Sequence, residues 1–223
     1  MSVKIIEIKK SVFESNNREA DALRVALKEK GVFLLNVMSS PGSGKTTLLI
    51  NTINRLKDEM RIGVMEADID SAVDAEKVAK TGVRTIQLHT GGMCHLDAEM
   101  TMQGLDNLGL DDLDLIILEN VGNLVCPAEF DTGASKSMML LSVPEGDDKP
   151  LKYPLMFETV SALVISKIDC LPYFEFDIEA VKARAKKLNP SIEIFEVSAK
   201  TGQGMEEWTS WLRQEVSYCK SKK

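Results

Sequence analysis

Short apolar runs alternate along the chain with longer stretches in which apolar residues recur at helical spacing. Continuous apolar runs are typical of strands buried on both faces, and the stretches between them are typical of amphipathic helices. This alternation predicts an α/β fold with a mostly parallel sheet flanked by helices on both faces. The strands are predicted at residues 3–8, 32–37, 61–67, 83–88, 113–118, 136–143, 161–165 and 192–197.

The polar positions between these runs set the predicted helices and the domain count. Helices are predicted at residues 16–30, 46–57, 71–80 and 204–218, with a further one that ends near residue 108. The polar stretch 144–154 has the length of a mobile loop. A chain of 223 residues favours one domain, in which residues 1–30 are a strand and helix that lead into a core of residues 31–223.

The sequence MSSPGSGKTTLL at residues 38–49 joins a predicted strand to a predicted helix. Glycines let backbone N–H groups turn toward an anion, and a helix directs the positive end of its dipole to the same point, so this loop predicts a phosphate site in a P-loop NTPase fold. Lys45 would reach the outer phosphates and Thr46 would place its hydroxyl on magnesium. Ser39 stands where the pattern usually has its first glycine, and we expect Gly42 to supply the flexibility instead. The predicted phosphate-binding residues are Pro41, Gly42, Ser43, Gly44, Lys45, Thr46 and Thr47.

Acidic residues follow two of the predicted strands. Asp68 and Asp70 come after the strand at 61–67, and Glu119 ends the most hydrophobic strand. Ligands of parallel sheets bind at the carboxyl ends of the strands, so these acids can meet a nucleotide. Glu119 is predicted to hold the magnesium shell or to polarise water, and Gly122 to give its N–H to a terminal phosphate. An acid at this position can also be an ordinary strand-end residue.

The sequence SKID at residues 166–169 suggests the base. The carboxylate of Asp169 can accept two parallel hydrogen bonds from guanine, a pairing that adenine does not offer, and Lys167 can lay its methylene stem across the ring. The backbone of Ser198-Ala199-Lys200 offers N–H groups for the guanine oxygen. These segments resemble the NKxD and SAK motifs of GTPases. Ser166 replaces the asparagine that ties this loop to the phosphate loop, so we expect weaker nucleotide binding.

Charge and composition exclude some classes of function. A net charge of −7 is unfavourable for a nucleic-acid binder, which needs a basic face. No apolar run approaches the length of a membrane span, and the charged N-terminus does not fit a secretory signal, so a cytoplasmic protein is expected. In that compartment the four cysteines are expected to be small buried side chains or metal ligands rather than disulfides.

Cys94, His95 and Cys126 are candidate ligands of a transition metal. Thiolates and imidazole suit zinc or nickel. Three ligands leave the coordination shell incomplete, so water or a second chain would have to finish it. By spacing alone these residues are also compatible with a purely structural role.

Four segments together resemble the HypB family of hydrogenase maturation GTPases: MSSPGSGKTTLL, GGMCHLDA, ENVGNLVCPAEFD and SKID. The resemblance implies hydrolysis of GTP to GDP and phosphate, and we expect slow turnover because the sequence shows no clear glutamine or arginine finger near the site. It also implies that Cys94, His95 and Cys126 bind nickel or zinc at a dimer interface, with GTP favouring the homodimer. Asp68 and Asp74 match the region of the family that contributes acids to magnesium. The implied magnesium ligands are Thr46, Asp74 and Glu119, and the implied catalytic residues are Lys45, Asp68, Asp74 and Glu119.

The function implied by the resemblance is that of a GTP-hydrolysing metallochaperone that helps to insert nickel into [NiFe]-hydrogenase. Its implied partners are a nickel-accessory protein and the hydrogenase large subunit. Because Glu119 and Cys126 lie on one short segment, we hypothesise that GTP and the metal influence each other's binding. Two alternatives stay open: a nickel GTPase of urease assembly, and a metal-binding adaptor with little nucleotide turnover.

Overall fold

The computed structural model describes residues 8–68 and 73–222, which form a seven-stranded sheet covered by helices. The strands are β1 (Phe33–Ser39), β2 (Ile62–Asp68), β3 (Arg84–His89), β4 (Leu115–Glu119), β5 (Lys136–Ser142), β6 (Ala162–Ser166) and β7 (Glu193–Val197). The helices are α1 (Ile8–Lys30), α2 (Lys45–Leu56), α3 (Val73–Ala79), α4 (Ala98–Leu108), α5 (Cys126–Glu129), α6 (Lys149–Lys152), α7 (Pro154–Thr159), α8 (Ile178–Leu188) and α9 (Met205–Ser221). The 3₁₀ helices are Val143–Glu145 and Ile168–Tyr173.

All strand pairs of the sheet are parallel, in the order β3-β2-β4-β1-β5-β6-β7. Successive side chains of a strand point to opposite faces. In β1, Leu35 and Val37 therefore pack on one face, whereas Leu34 and Met38 pack on the other. The predicted fold class, a parallel α/β sheet with helices on both faces, is confirmed.

The helices bury their apolar sides on these two faces. One face packs against α2, α3 and α9, and the Trp208 indole N–H donates to the Thr52 hydroxyl at 3.0 Å between α9 and α2. The opposite face packs against α1 and α4 over one half of the sheet and against α7 and α8 over the other half. Among the described residues, no helix combines the length and the apolar character that a membrane span requires.

Several local predictions differ from the structure. The segment predicted as the loop 144–154 contains helical turns, because Glu145 accepts from both the backbone N–H and the hydroxyl of Ser142 and so caps the first turn. The helices α7 and α8 were not predicted, since charged and polar residues fill much of α8. The strand predicted at residues 3–8 lies outside the described residues except for Ile8, where α1 begins; Asp70 and the start of the helix predicted at 71–80 also lie outside them.

At the amino ends of β2 and β4, away from the phosphate loop, the buried carboxylate of Asp114 pairs with two half-exposed cations. Asp114, directly before β4, is 6% exposed and accepts from the Arg61 backbone N–H at 2.9 Å and from its guanidinium at 2.9 and 3.2 Å. The Lys220 ammonium of α9 lies 2.8 Å from the same carboxylate. The Arg61 guanidinium holds the pKa of Asp114 well below its ordinary value. Asp114 thus joins the starts of β2 and β4 to the C-terminal helix.

We expect Asp114→Asn to lower the free energy of unfolding at pH 7 by about 2 kcal/mol, because a neutral amide replaces a buried carboxylate that accepts several charge-assisted hydrogen bonds. Since the folded-state pKa lies below the unfolded value, the contribution is present above about pH 4 and is lost as the pH falls further. Urea unfolding at decreasing pH should therefore show a constant difference between the variant and the parent above about pH 4 and a shrinking difference below it.

Asp112→Asn is the matched control. Asp112 pairs with the same arginine at 3.0 Å, but its side chain is 82% exposed. We expect a change below about 0.5 kcal/mol, as for other exposed ion pairs. Equal losses for the two variants would contradict the assignment.

Candidate nucleotide and metal sites

The loop between β1 and α2 has the geometry of an anion cradle. Gly42 and Gly44 have φ angles of 74° and 99°, which glycine adopts readily. Helix α2 begins at Lys45, so its first N–H groups and the positive end of its dipole face the loop. The Thr46 hydroxyl lies 3.4 Å from a carboxylate oxygen of Glu119 and so joins the loop to β4.

Ser39, which replaces the usual first glycine, is the last residue of β1 and is fully buried. Its hydroxyl oxygen accepts from the Lys45 ammonium at 2.9 Å and from the Ser43 hydroxyl at 2.6 Å, and its own hydroxyl donates to the Ser40 carbonyl at 2.7 Å. The backbone of Ser39 does not have a positive φ, so a glycine is not required there. The Ser39 hydroxyl instead stabilises the loop through its hydrogen bonds with Ser40, Ser43 and Lys45.

An acidic cavity of about 260 Å³ lies beside the loop, at the carboxyl ends of β2 and β4. The strand register pairs Glu66 of β2 with Glu119 of β4, and these residues are only 3% and 2% exposed. The Oε2 atoms of both are buried and have no hydrogen-bond partner among the described residues. The residues that line the cavity are Pro41, Gly42, Lys45, Glu66, Ala67, Asp68, Asp74, Glu119, Asn120, Val121 and Gly122.

The two glutamates are held in an environment that disfavours their charged forms. Burial raises the pKa of Glu66, and the neighbouring charge of Glu119 raises it further. Burial likewise raises the pKa of Glu119, while the charge of Lys45 acts in the opposite direction. Such a pair suits a divalent cation, since the cation would supply the missing positive charge.

Glu66 was missed in the sequence. It is a charged residue inside an otherwise apolar strand, RIGVMEA, and that position was the available signal. Its strand pairing with Glu119 depends on sheet order, which local pattern does not give.

The other predicted acids approach the same cavity from β2 and α3. Asp68 ends β2, and Asp74 lies in the first turn of α3, where it accepts from the Lys77 ammonium at 2.7 Å. On the β4 side, a Cβ atom on Gly122 would lie 3.1 Å from the Pro41 backbone nitrogen. Gly122 is therefore packed closely on the phosphate loop.

The predicted guanine segments lie together on the other side of the loop. The Ser166 hydroxyl donates to the Ser43 carbonyl at 3.1 Å, and the Lys167 ammonium donates to the Gly42 carbonyl at 2.8 Å. The Ser198 hydroxyl donates to Asp169 at 2.6 Å. Ala199 is partly buried and Lys200 is exposed. Ser166 thus keeps a tie to the phosphate loop, because its hydroxyl reaches a backbone carbonyl. The weaker nucleotide binding expected for serine at this position stays a prediction.

Cys94, His95 and Cys126 form a compact cluster between the start of α5 and the loop before α4. Their candidate ligand atoms all lie within 4.8 Å of one another, and the two sulfur atoms are 3.0 Å apart. The Cys94 sulfur lies 3.9 Å from the His95 Nδ1 atom. The cluster has three members among the described residues, in keeping with a site that needs a further ligand.

His95 is fixed by its surroundings. It is 6% exposed, and its ring stacks on Phe130 with 3.9 Å between ring centroids. Burial lowers the pKa of His95, which favours the neutral imidazole that binds metals. The Asn123 side-chain amide donates to the Cys94 carbonyl at 3.3 Å and so joins the two cysteine segments.

Comparisons with known proteins identify the family of this chain. The family model described as "CobW/HypB/UreG, nucleotide-binding domain" matches residues 33–196. The hydrogenase maturation factor HypB of Escherichia coli K12 is 46% identical over 94% of this chain and 72% of its own length. The chain belongs to the HypB family of hydrogenase maturation factors.

Two solved HypB structures share the fold. The crystal structure of HypB from Archaeoglobus fulgidus has a TM-score of 0.85 and 41% identity, covering 91% of this chain and 99% of its own. HypB from Helicobacter pylori, crystallised in complex with nickel, has a TM-score of 0.86 and 41% identity, covering 92% of this chain and 96% of its own. The fold described here is thus the HypB fold.

Within this HypB family chain, Ser166→Ala tests the tie between the guanine segment and the phosphate loop. We expect GDP to bind about 3- to 10-fold more weakly, because one hydrogen bond of ~1 kcal/mol is lost. Titration with a fluorescent GDP analogue measures the change.

Ser191→Ala is the control for this prediction, because the Ser191 hydroxyl donates to the Asn189 side chain in an exposed turn away from the phosphate loop. We expect it to leave GDP affinity within about twofold of the parent, as for other surface substitutions. If Ser166→Ala also stayed within that range, the tie would have no role in binding.

Proposed function

We propose that the protein is a GTP-hydrolysing metallochaperone that helps to insert nickel into [NiFe]-hydrogenase, and that residues 1–223 act as a single GTPase domain. The observation that carries the proposal is the pairing of two sites by one short segment. Glu119 borders the nucleotide cavity, and Cys126, seven residues later, belongs to the Cys/His cluster.

Hydrolysis of GTP depends mainly on charge neutralisation and on a positioned water. Lys45 and the N–H groups of residues 42–47 would bind the phosphates, and the Gly122 N–H would bind the terminal one. Glu119, with Asp68 or Asp74, would orient the attacking water. Among the described residues that line the cavity there is no arginine or glutamine, which supports slow turnover.

Magnesium is the cofactor that fits the acidic side of this site. Two buried glutamate oxygens lack partners among the described residues, and hydroxyl and carboxylate oxygens are the ligands that magnesium prefers. Thr46, Asp74 and Glu119 would hold it. When bound, magnesium would neutralise charge on the β- and γ-phosphates.

Guanine is the proposed base. Asp169 would accept from the ring N–H and the exocyclic amine, Lys167 would lie against the ring, and the backbone of Ser198, Ala199 and Lys200 would meet the guanine oxygen. The hydrogen bond from Ser198 to Asp169 supports this arrangement, because it holds the carboxylate beside that backbone segment.

Nickel is the proposed cargo of the cluster formed by Cys94, His95 and Cys126, with zinc as a competing ion. Two thiols and one imidazole suit either metal. A second chain would complete the shell in a GTP-bound homodimer, which sedimentation with GDP and with a GTP analogue would test. A nickel-accessory protein and the hydrogenase large subunit are the proposed partners in the cytoplasm.

The urease-type alternative is supported by the breadth of the family model, which includes UreG. The departures of Ser39 and Ser166 from the usual GTPase residues favour the adaptor alternative, but both serines make contacts within the phosphate loop. A working nucleotide site therefore has the stronger support.

Lys45→Ala separates a GTPase from an adaptor. We expect phosphate release from GTP to fall at least ~100-fold, because a charge that stabilises the transition state is lost. Lys57→Ala is the control, since this lysine bonds the Thr81 carbonyl away from the cavity, and it should match the parent. Equal phosphate release from the parent and from Lys45→Ala would favour the adaptor.

Cys126→Ser tests the metal site. We expect nickel affinity to fall at least ~10-fold, a loss of ~1.4 kcal/mol, because serine is a poor ligand for this metal. Thiolate-to-nickel charge-transfer absorption during titration provides the readout. Cys170→Ser is the control, because Cys170 is partly buried and packs against the core. An unchanged nickel affinity in Cys126→Ser would remove Cys126 from the site.

A further inference from the structure

Asn120 occupies an unusual position between the two sites. It follows Glu119 directly and is completely buried. Its backbone N–H donates to the Val37 carbonyl of β1 at 2.9 Å. Its side-chain oxygen accepts from the Val121 N–H at 2.9 Å and from the Leu96 N–H at 3.3 Å.

The other half of this amide is also used. The Asn120 Nδ2 group donates to the Asn36 side-chain oxygen at 3.1 Å, and Asn36 in turn donates to the Ser137 hydroxyl at 3.3 Å. These contacts define which end of the Asn120 amide carries the oxygen. An apolar residue at this position would leave buried polar groups without partners, which is costly.

The contact between Asn120 and Leu96 joins Asn120 to the loop that carries two members of the Cys/His cluster, Cys94 and His95. Leu96 follows His95 in the chain and is 1% exposed, and it packs in the same apolar cluster as Val121. The segment 119–122 that borders the nucleotide cavity is therefore joined to the Cys94-His95 loop by a hydrogen bond and by core packing. Cys126 is joined to the same segment through the chain itself.

We infer that Asn120 is a positioning residue. It transmits the difference between a GDP-bound and a GTP-bound nucleotide site to the Cys94-His95 side of the Cys/His cluster. The inference rests on the proposed function, because it presumes that both sites bind their ligands. A contact of the γ-phosphate with Gly122 would shift the 119–122 segment, and the amide of Asn120 would carry that shift to Leu96 and His95. Cys126 would then move because the chain connects it directly to the 119–122 segment. The Cys94-His95 loop would move through the hydrogen bond from the Leu96 N–H to Asn120.

The test is the ratio of two nickel dissociation constants, one with GDP and one with a non-hydrolysable GTP analogue. We expect the parent to show a ratio of about 5 or more in one direction, in the usual range for coupled sites. In Asn120→Ala the ratio should fall to within about twofold of unity. Linkage requires nickel to change the affinity for the GTP analogue, relative to GDP, by the same factor, so fluorescent nucleotide titrations give an independent readout.

Asn16→Ala is the matched control. Asn16 is another buried asparagine, 6% exposed, whose amide holds Ala98 and Asp131 on the metal side without contacting the 119–122 segment. This variant should keep the parental ratio even if nickel affinity itself changes. If Asn120→Ala does not fold, Asn36→Ala replaces it, because it removes the contact that orients the Asn120 amide and should reduce the ratio.

The outcomes are distinguishable. A parental ratio that persists in Asn120→Ala, or in Asn36→Ala if that variant is used, would overturn the role of Asn120 and leave the proposed function intact. A parent ratio of one would overturn the coupling itself, whereas a parent that binds no guanine nucleotide would overturn the proposed function. If the ratio also fell to about one in Asn16→Ala, the substitutions would disturb the Cys94-His95 loop in general, which would contradict a specific role of Asn120.

Discussion

β4 pairs in parallel with both β1 and β2, and this register determines where both sites lie. Val37 of β1 is opposite Glu119 of β4, and Glu66 of β2 is opposite the same Glu119. The phosphate loop therefore begins beside the acidic end of β4. A shift of one residue would turn Glu119 to the other face of the sheet, because side chains alternate along a strand. The nucleotide cavity depends on this pairing more than on any single side chain.

Burial of the Glu66 and Glu119 carboxyl groups at the carboxyl ends of β2 and β4 has an energetic cost. The two carboxyl groups have raised pKa values, and each has one oxygen without a hydrogen-bond partner in the part of the chain that the structure describes, as suits a site for a divalent cation. At the amino ends of β2 and β4, Asp114 is paired with Arg61 and Lys220, and its pKa is lowered instead. The same residue class is thus structural at one edge and suited to ligand binding at the other.

Buried amides give the core its polar connections. Asn120 joins β1, β4 and the Cys94-His95 loop, while Asn16 joins α1 to the start of α4 and to the segment after α5. Amides can donate and accept at once without a charge, so they can connect backbone groups in places where a carboxylate would be costly. This property suits Asn120 to joining the end of β4 to the Cys94-His95 loop, whereas Asn16 connects helices and loops away from the 119–122 segment.

The sequence by itself determined the elements whose signals are local. Apolar runs located the strands, and the glycines around Lys45 located the phosphate loop. The Cys94-His95 pair marked one side of the Cys/His cluster. Only the tertiary structure decided what lies side by side. Sheet order brought Glu66 to Glu119, a carbonyl of the phosphate loop gave Ser166 its partner, and the fold placed Leu96 against Asn120. These contacts join residues that are distant in the chain, so no local periodicity can encode them, whereas strand and loop patterns repeat within a few residues.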